Sequence, residues 1–128
     1  MILEISNYSE VPIYKQLRDQ IILGIAKGEL AAGEQLPSVR LLADEIGVNT
    51  MTISKAYNLL KEEGYLLTDR RLGTKVATFE PAKTAYPQKL ADQLALILAE
   101  SSIQRYSETD ILAEVTNILT QFRKDDLK

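Results

Sequence analysis

Leu42-Ala43-Asp44-Glu45-Ile46-Gly47-Val48-Asn49, continuing through Thr50-Met51-Thr52-Ile53-Ser54-Lys55-Ala56, decides how this chain of 128 residues folds. Its apolar positions fall at Leu42, Ile46, Val48, Ile53 and Ala56. Small Ala43 stands where two helices must approach closely, and Gly47 stands where the first must end. Glycine reaches the left-handed backbone conformation that terminates helices at little steric cost. Val48 and Asn49 complete a short turn, and Asn49 is a good N-cap for a second helix. Two helices joined by three or four residues and crossing steeply make a helix-turn-helix.

Working outward, residues 12–27 read as a preceding helix. Pro12 suits a first turn, Tyr14, Leu17, Ile21 and Ile25 recur at helical spacing, and Gly28 follows as a C-cap. Residues 29–37 form a connector punctuated by Gly33 and Pro37. Ser38 caps a helix over 39–46. The next helix runs from Thr50 to Glu63 with Ile53, Ala56, Tyr57 and Leu60 inward, and Gly64 ends it. Two β-prone segments, 65–68 and 74–79, flank Asp69-Arg70-Arg71-Leu72-Gly73 as a hairpin whose five-residue turn is long. The expected fold is mainly α with a small β-hairpin: a winged helix-turn-helix over residues 1–80.

Pro81 and Pro87 bracket a linker over 81–87, and residues 88–128 form a C-terminal two-helix segment. Its first helix, 88–103, aligns Leu90, Leu94, Ile97 and Leu98. Its second, 108–123, opens on a capping-box pattern from Ser107 to Asp110 and carries Ile111, Leu112, Val115, Ile118, Leu119 and Phe122. Two such amphipathic helices cannot enclose a core of their own. They must pack on the winged domain or on another chain, and a homodimer through these side chains is the favoured expectation.

Composition narrows the function. There is no cysteine and no histidine, which excludes disulfides, thiolate metal sites and Ser-His or Cys-His catalysis. No nucleophile–base pair and no metal cluster is visible, so neither an enzyme nor a bound cofactor is expected. No apolar run approaches a membrane span and the N-terminus lacks a signal-peptide pattern, so the expected location is cytoplasmic. The net charge of −3, from 15 basic and 18 acidic residues, demands that any nucleic-acid binding rest on local clustering of cations. Arg40, Lys55, Arg70, Arg71 and Lys75 can supply it.

A helix-turn-helix places its second helix in the DNA major groove. The outward residues at that helix's start are Asn49, Thr50, Met51, Thr52, Ser54 and Lys55. Hydroxyls bind phosphate or base edges, Asn reads adenine and Met touches a thymine methyl. For Asn49 and Thr52 the competing reading is helix capping alone. Lys55 suits a phosphate. Arg40, in the first turn of a helix whose dipole disfavours a cation there, suits phosphate or a bidentate guanine contact, against a surface salt bridge to Asp44. Arg70 and Arg71 at the hairpin tip suit the minor groove or the backbone, against an ordinary exposed turn. Tyr57 reads as core.

Pro12-Ile13-Tyr14 with Gln16-Leu17, Gly28-Glu29-Leu30, Gly33, Leu36-Pro37-Ser38-Val39-Arg40, Leu42-Ala43, Val48-Asn49, Thr52, Ala56-Tyr57, Leu60, Gly64 and Gly73-Thr74 together resemble the GntR family of bacterial regulators. The short two-helix tail narrows the resemblance to its small YtrA-type subfamily. That resemblance implies a homodimeric repressor on a palindromic operator of double-stranded DNA, often controlling a neighbouring transporter operon. It also implies DNA contacts by Ser38, Arg40, Asn49, Thr52, Ser54 and Lys55, and by the wing around Gly73 and Thr74. Many relatives have a Gly-x-Gly wing tip, and Arg71 replaces the first glycine here, predicting a stiffer, more basic tip. Two other readings differ in kind: a small-molecule sensor whose tail helices form an effector pocket around Tyr86, Tyr106 and Phe122, and a winged module that binds a protein partner.

Overall fold

A computed structural model describes residues 3–122 of the chain, which divides into two compact units, Met1–Phe79 and Glu80–Lys128. The N-terminal reading of Met1 and Ile2 and the expected helix end at 123 lie outside the described residues.

In the first unit, α1 spans Ile13–Ala26, one residue shorter at each end than the sequence spacing suggests, because Pro12 and Lys27 are caps rather than helical residues. Helix α2 spans Val39–Ile46. Ser38 caps it by accepting from the Leu41 amide at 3.1 Å. Gly47 ends it at φ +69°, and the Val48 amide turns back to the Ala43 carbonyl at 3.0 Å. Just after that turn, Asn49 starts α3, Thr50–Glu62, accepting from the Met51 amide at 2.7 Å. The helix-turn-helix expected from Leu42 to Ala56 is therefore present, with both caps made.

The core lies where α1, α2 and the sheet converge on α3. Ile53, Ala56, Tyr57 and Leu60 of α3 are buried against Leu17 and Ile21 of α1 and Leu42 and Ala43 of α2. Tyr57 is buried as expected, and its hydroxyl donates to the Pro37 carbonyl at 2.8 Å, tying the α2 entry to α3. Arg18 of α1 reaches across to Glu63 with two parallel bonds of 2.9 Å and holds Asp19 at 2.7 Å. This half-buried fork keeps the guanidinium protonated far above neutral pH, chiefly through Glu63.

Strands β1, Leu66–Asp69, and β2, Gly73–Val76, pair antiparallel with Leu66 opposite Val76 and Asp69 opposite Gly73. Both differ from the sequence expectation. β1 lies one residue later, β2 starts one residue earlier and ends three earlier, and only residues 70–72 form the turn. The 29–37 connector also does more than connect. The Leu36 amide donates to the Thr74 carbonyl at 2.8 Å, and the Val76 amide to the Glu34 carbonyl at 2.9 Å. Residues 33–36 thus run beside β2, with Gln35 bridged antiparallel to Lys75, outside the two-stranded sheet itself.

Two glutamines of α1 anchor the segment that precedes it. Gln16 donates to the Ser6 and Val11 carbonyls and accepts from the Ser6 amide, while Gln20 bonds both backbone groups of Glu4. Leu3 and Ile5 are thereby brought onto the core.

The second unit holds α4, Gln88–Ile103, and α5, Glu108–Gln121. The turn between them places Arg105 at φ +71°, with the Tyr106 amide bonded back to Ser101 at 3.2 Å. Ser107 caps α5 by accepting from the Asp110 amide at 3.1 Å, which is half of the expected capping box. No side chain of α4 or α5 is buried.

Candidate nucleic-acid interface

The exposed side of α3 is chemically unlike its buried side. Thr50, Met51, Ser54, Lys55 and Asn58 line a shallow surface hollow together with Tyr14 of α1, Leu59 and Glu62. Met51 is 77% exposed, too large an apolar surface to be explained by the core. Lys55 places its ammonium 4.1 Å from the centroid of the Tyr14 ring and makes no ion pair among the described residues. Of the residues expected to meet DNA, the fold therefore brings Thr50, Met51, Ser54 and Lys55 to one place.

Asn49 sits beside them with its side-chain oxygen engaged by the Met51 amide, which leaves the amide NH₂ group to donate outward. Capping and an outward contact are compatible here. Thr52 is half-buried, and the cap at this helix start is made by Asn49 instead of the Thr52 hydroxyl. Ser38 likewise accepts from Leu41 through its hydroxyl oxygen, whose hydrogen can still be donated.

Arg40 projects from the first turn of α2, exposed, and forms no salt bridge with Asp44 among the described residues. The intrahelical ion pair weighed for Arg40 is thus not made. Arg70 and Arg71 are exposed on the hairpin turn and also without an ion pair among those residues. The turn is held from Asp69, whose carboxylate accepts from the Leu72 amide at 3.0 Å and the Arg71 amide at 2.8 Å. These two bonds, together with Lys75 at 3.3 Å, hold the Asp69 carboxyl below its usual range. Lys75 departs from expectation. It is half-buried and paired with Asp69, so it braces the wing and is not a free cation. Gly73 takes φ +79°, and Thr74 is half-buried in the ladder with its carbonyl accepting from Leu36.

Sequence reasoning gives neither Tyr14 nor Asn58 a role at this surface. Tyr14 carries a helix-spacing signal and a place in the family motif, neither of which names a partner, and its contact with Lys55 bridges two helices that are not consecutive in the chain.

In the second unit, Leu90, Leu94, Ile97, Leu112, Ile118 and Leu119 are exposed, and Leu98, Ile111, Val115 and Phe122 are half-buried. A groove of about 560 Å³ between α4 and α5 is lined by Leu94, Ile97, Leu98, Ile111, Val115 and Ile118, with Tyr106, Asp110 and Glu114 also on its wall. Tyr86 and Phe122, expected beside Tyr106, do not line it. Among the described residues no helix is long and apolar enough to cross a membrane, and no group of acidic residues is placed to hold a metal.

Residues 13–76 match the family described as "Bacterial regulatory proteins, gntR family". The HTH-type transcriptional repressor YtrA of Bacillus subtilis is 43% identical over 82 residues, covering 64% of this chain and 62% of that protein. YtrA from Sulfolobus acidocaldarius, a GntR-family transcription factor of known structure, superposes with a TM-score of 0.65 at 38% identity, covering 80% of this chain and 99% of its own. The DNA-binding domain of AraR in complex with operator ORX1 superposes with a TM-score of 0.52 at 30% identity, over 60% of this chain and 99% of that one. Family, fold and the exposed polar face of α3 agree: this chain belongs to the gntR family of bacterial regulatory proteins, in its small YtrA-type branch, and is a DNA-binding transcriptional regulator rather than an enzyme.

Proposed function

We propose that the protein acts in the cytoplasm as a homodimeric repressor on a palindromic operator. Residues 1–80 bind DNA, 81–87 link, and 88–128 dimerise. The observation that carries the DNA-reading surface is the solvent-facing start of α3, where Thr50, Met51, Ser54 and Lys55 gather while the core claims only the opposite side. Thr50, Met51, Thr52 and Ser54 meet base edges in the major groove, and Asn49 donates through its amide NH₂. Lys55 takes a phosphate, as do the hydroxyls of Ser38 and Thr74. Arg40 takes a phosphate or forks onto a guanine, and Arg70 and Arg71, with Gly73 behind them, enter the flanking minor groove. Repression fits the repressor named among the relatives and a chain that blocks a promoter by occupying it.

The dimer reading rests on the uncovered apolar faces of α4 and α5. Leu90, Leu94, Ile97, Ile118 and Leu119 remain in solvent on helices of 16 and 14 residues, more apolar surface than a free helical hairpin keeps without a partner. A two-fold pair sets half-sites about one helical turn apart. The groove between these helices favours a second role, the binding of an apolar effector that would compete with the partner's side chains. A melting shift on adding such a ligand supports that role.

Titration of Arg40→Ala against operator variants tests the surface. A base contact predicts a loss of about 1–3 kcal/mol concentrated at one operator position, and a phosphate contact predicts a uniform loss with a shallower salt slope. Undiminished affinity would remove Arg40 from the interface.

A further inference from the structure

We propose that Tyr14 is a positioning residue for operator binding: its ring holds the Lys55 ammonium extended at the DNA-facing end of α3 without neutralising it. The inference rests on the reading of Lys55 as a phosphate contact. The Lys55 nitrogen lies 4.1 Å from the Tyr14 ring centroid, within the range at which an aromatic face attracts a cation. The ring is fixed, because Tyr14 stands in the first turn of α1 and packs against the core formed with α3. A lysine on a four-carbon stem has many rotamers, and each one frozen on binding opposes affinity.

What holds the ammonium matters as much as that it is held. A carboxylate partner would have to be displaced by the phosphate. An aromatic face leaves the full positive charge in place and occupies only one side of it. Lys75 in the same unit shows the other arrangement, paired with Asp69 at 3.3 Å and half-buried. Lys55 is exposed and makes no ion pair among the described residues, although Glu62 lines the same hollow. Tyr14 therefore sorts this lysine from the structural one.

The test is a double-mutant cycle on the full chain, with Tyr14→Leu, Lys55→Ala and the pair titrated against operator DNA across a salt series, and Tyr14→Phe as the conservative variant. Tyr14→Leu is expected to weaken binding on the order of threefold to fivefold in the wild-type background and not at all beside Lys55→Ala. Tyr14→Phe should stay within about twofold, since the ring face is kept. Lys55→Ala should lower the salt slope by about one. Equal losses from Tyr14→Leu in both backgrounds would overturn the positioning role alone. Full affinity and an unchanged salt slope for Lys55→Ala would overturn the phosphate contact and the proposal with it. The wild-type protein gives an independent readout should the leucine variant fold poorly. The Lys55 ε-methylene protons should be shifted upfield by the Tyr14 ring in the free protein, and random-coil shifts there would overturn the proposal.

Discussion

The Tyr57 ring is buried among α1, α2 and α3, while its hydroxyl satisfies the Pro37 carbonyl at the entrance to α2. Burial, with a smaller contribution from the nearby Glu45 charge, pushes the phenol up from its ordinary value near 10 to about 12. Between those values the native state keeps a proton that the unfolded chain has lost. Stability from this group is therefore complete below about pH 10 and falls as pH rises through about 12. Tyr57→Phe should flatten that alkaline decline while costing about 1 kcal/mol at neutral pH, because the carbonyl loses its donor. Denaturant titrations at pH 8 and pH 11 measure both effects, and an unchanged alkaline slope would reject the assignment. The burial of Tyr57 is legible from its helical spacing with Ile53 and Leu60. Its bond to Pro37 is not, because no sequence spacing relates a helix-interior hydroxyl to a carbonyl 20 residues earlier. Lys75 reads as a free cation for the same reason: its partner Asp69 meets it only once the hairpin register is set.

At the scale of elements, local chemistry writes the helices and distant chemistry writes the sheet. Ser38, Gly47 and Asn49 mark the bounds of α2 and the start of α3 through bonds that stay within about one helical turn, so a reading along the chain finds them. Residues 33–36 carry glycine and lie next to proline, the signature of a connector. Their pairing with β2 depends on hydrogen bonds to residues on the far side of α2 and α3, which no local pattern encodes. The caps also separate stability from recognition. Asn49→Ala should destabilise the protein by about 1 kcal/mol through the lost bond to Met51. Asn49→Asp keeps an accepting oxygen at the helix start, where a negative charge is favourable, but loses the outward NH₂ group and repels phosphate. It should therefore melt no lower than the wild type and still bind operator DNA more weakly. Thermal melts alongside binding titrations distinguish the cases, and wild-type affinity for the aspartate variant would remove Asn49 from the interface.

For the whole molecule, a winged helix-turn-helix unit is followed by a helical pair that buries no side chain of its own. The amphipathic spacing of α4 and α5 is legible in the sequence. What covers their apolar faces is not, because one chain's periodicity does not name its partner. Leu94→Glu places a charge on that face and should convert a dimer to a monomer, lowering operator affinity on the order of 100-fold as the second half-site is lost. Light scattering of this variant checks the first effect, and an unchanged dimer mass would contradict the role of the α4 face.

The most direct test of operator binding by a dimer is titration of the wild-type protein with a promoter fragment from its own operon, across a salt series and against excess random DNA, with the mass of the complex followed by light scattering. The expected result is one dimer per palindromic site, affinity that falls steeply with salt, and binding that survives the competitor. Binding no tighter than to random DNA, or saturation by a single monomer, would contradict it.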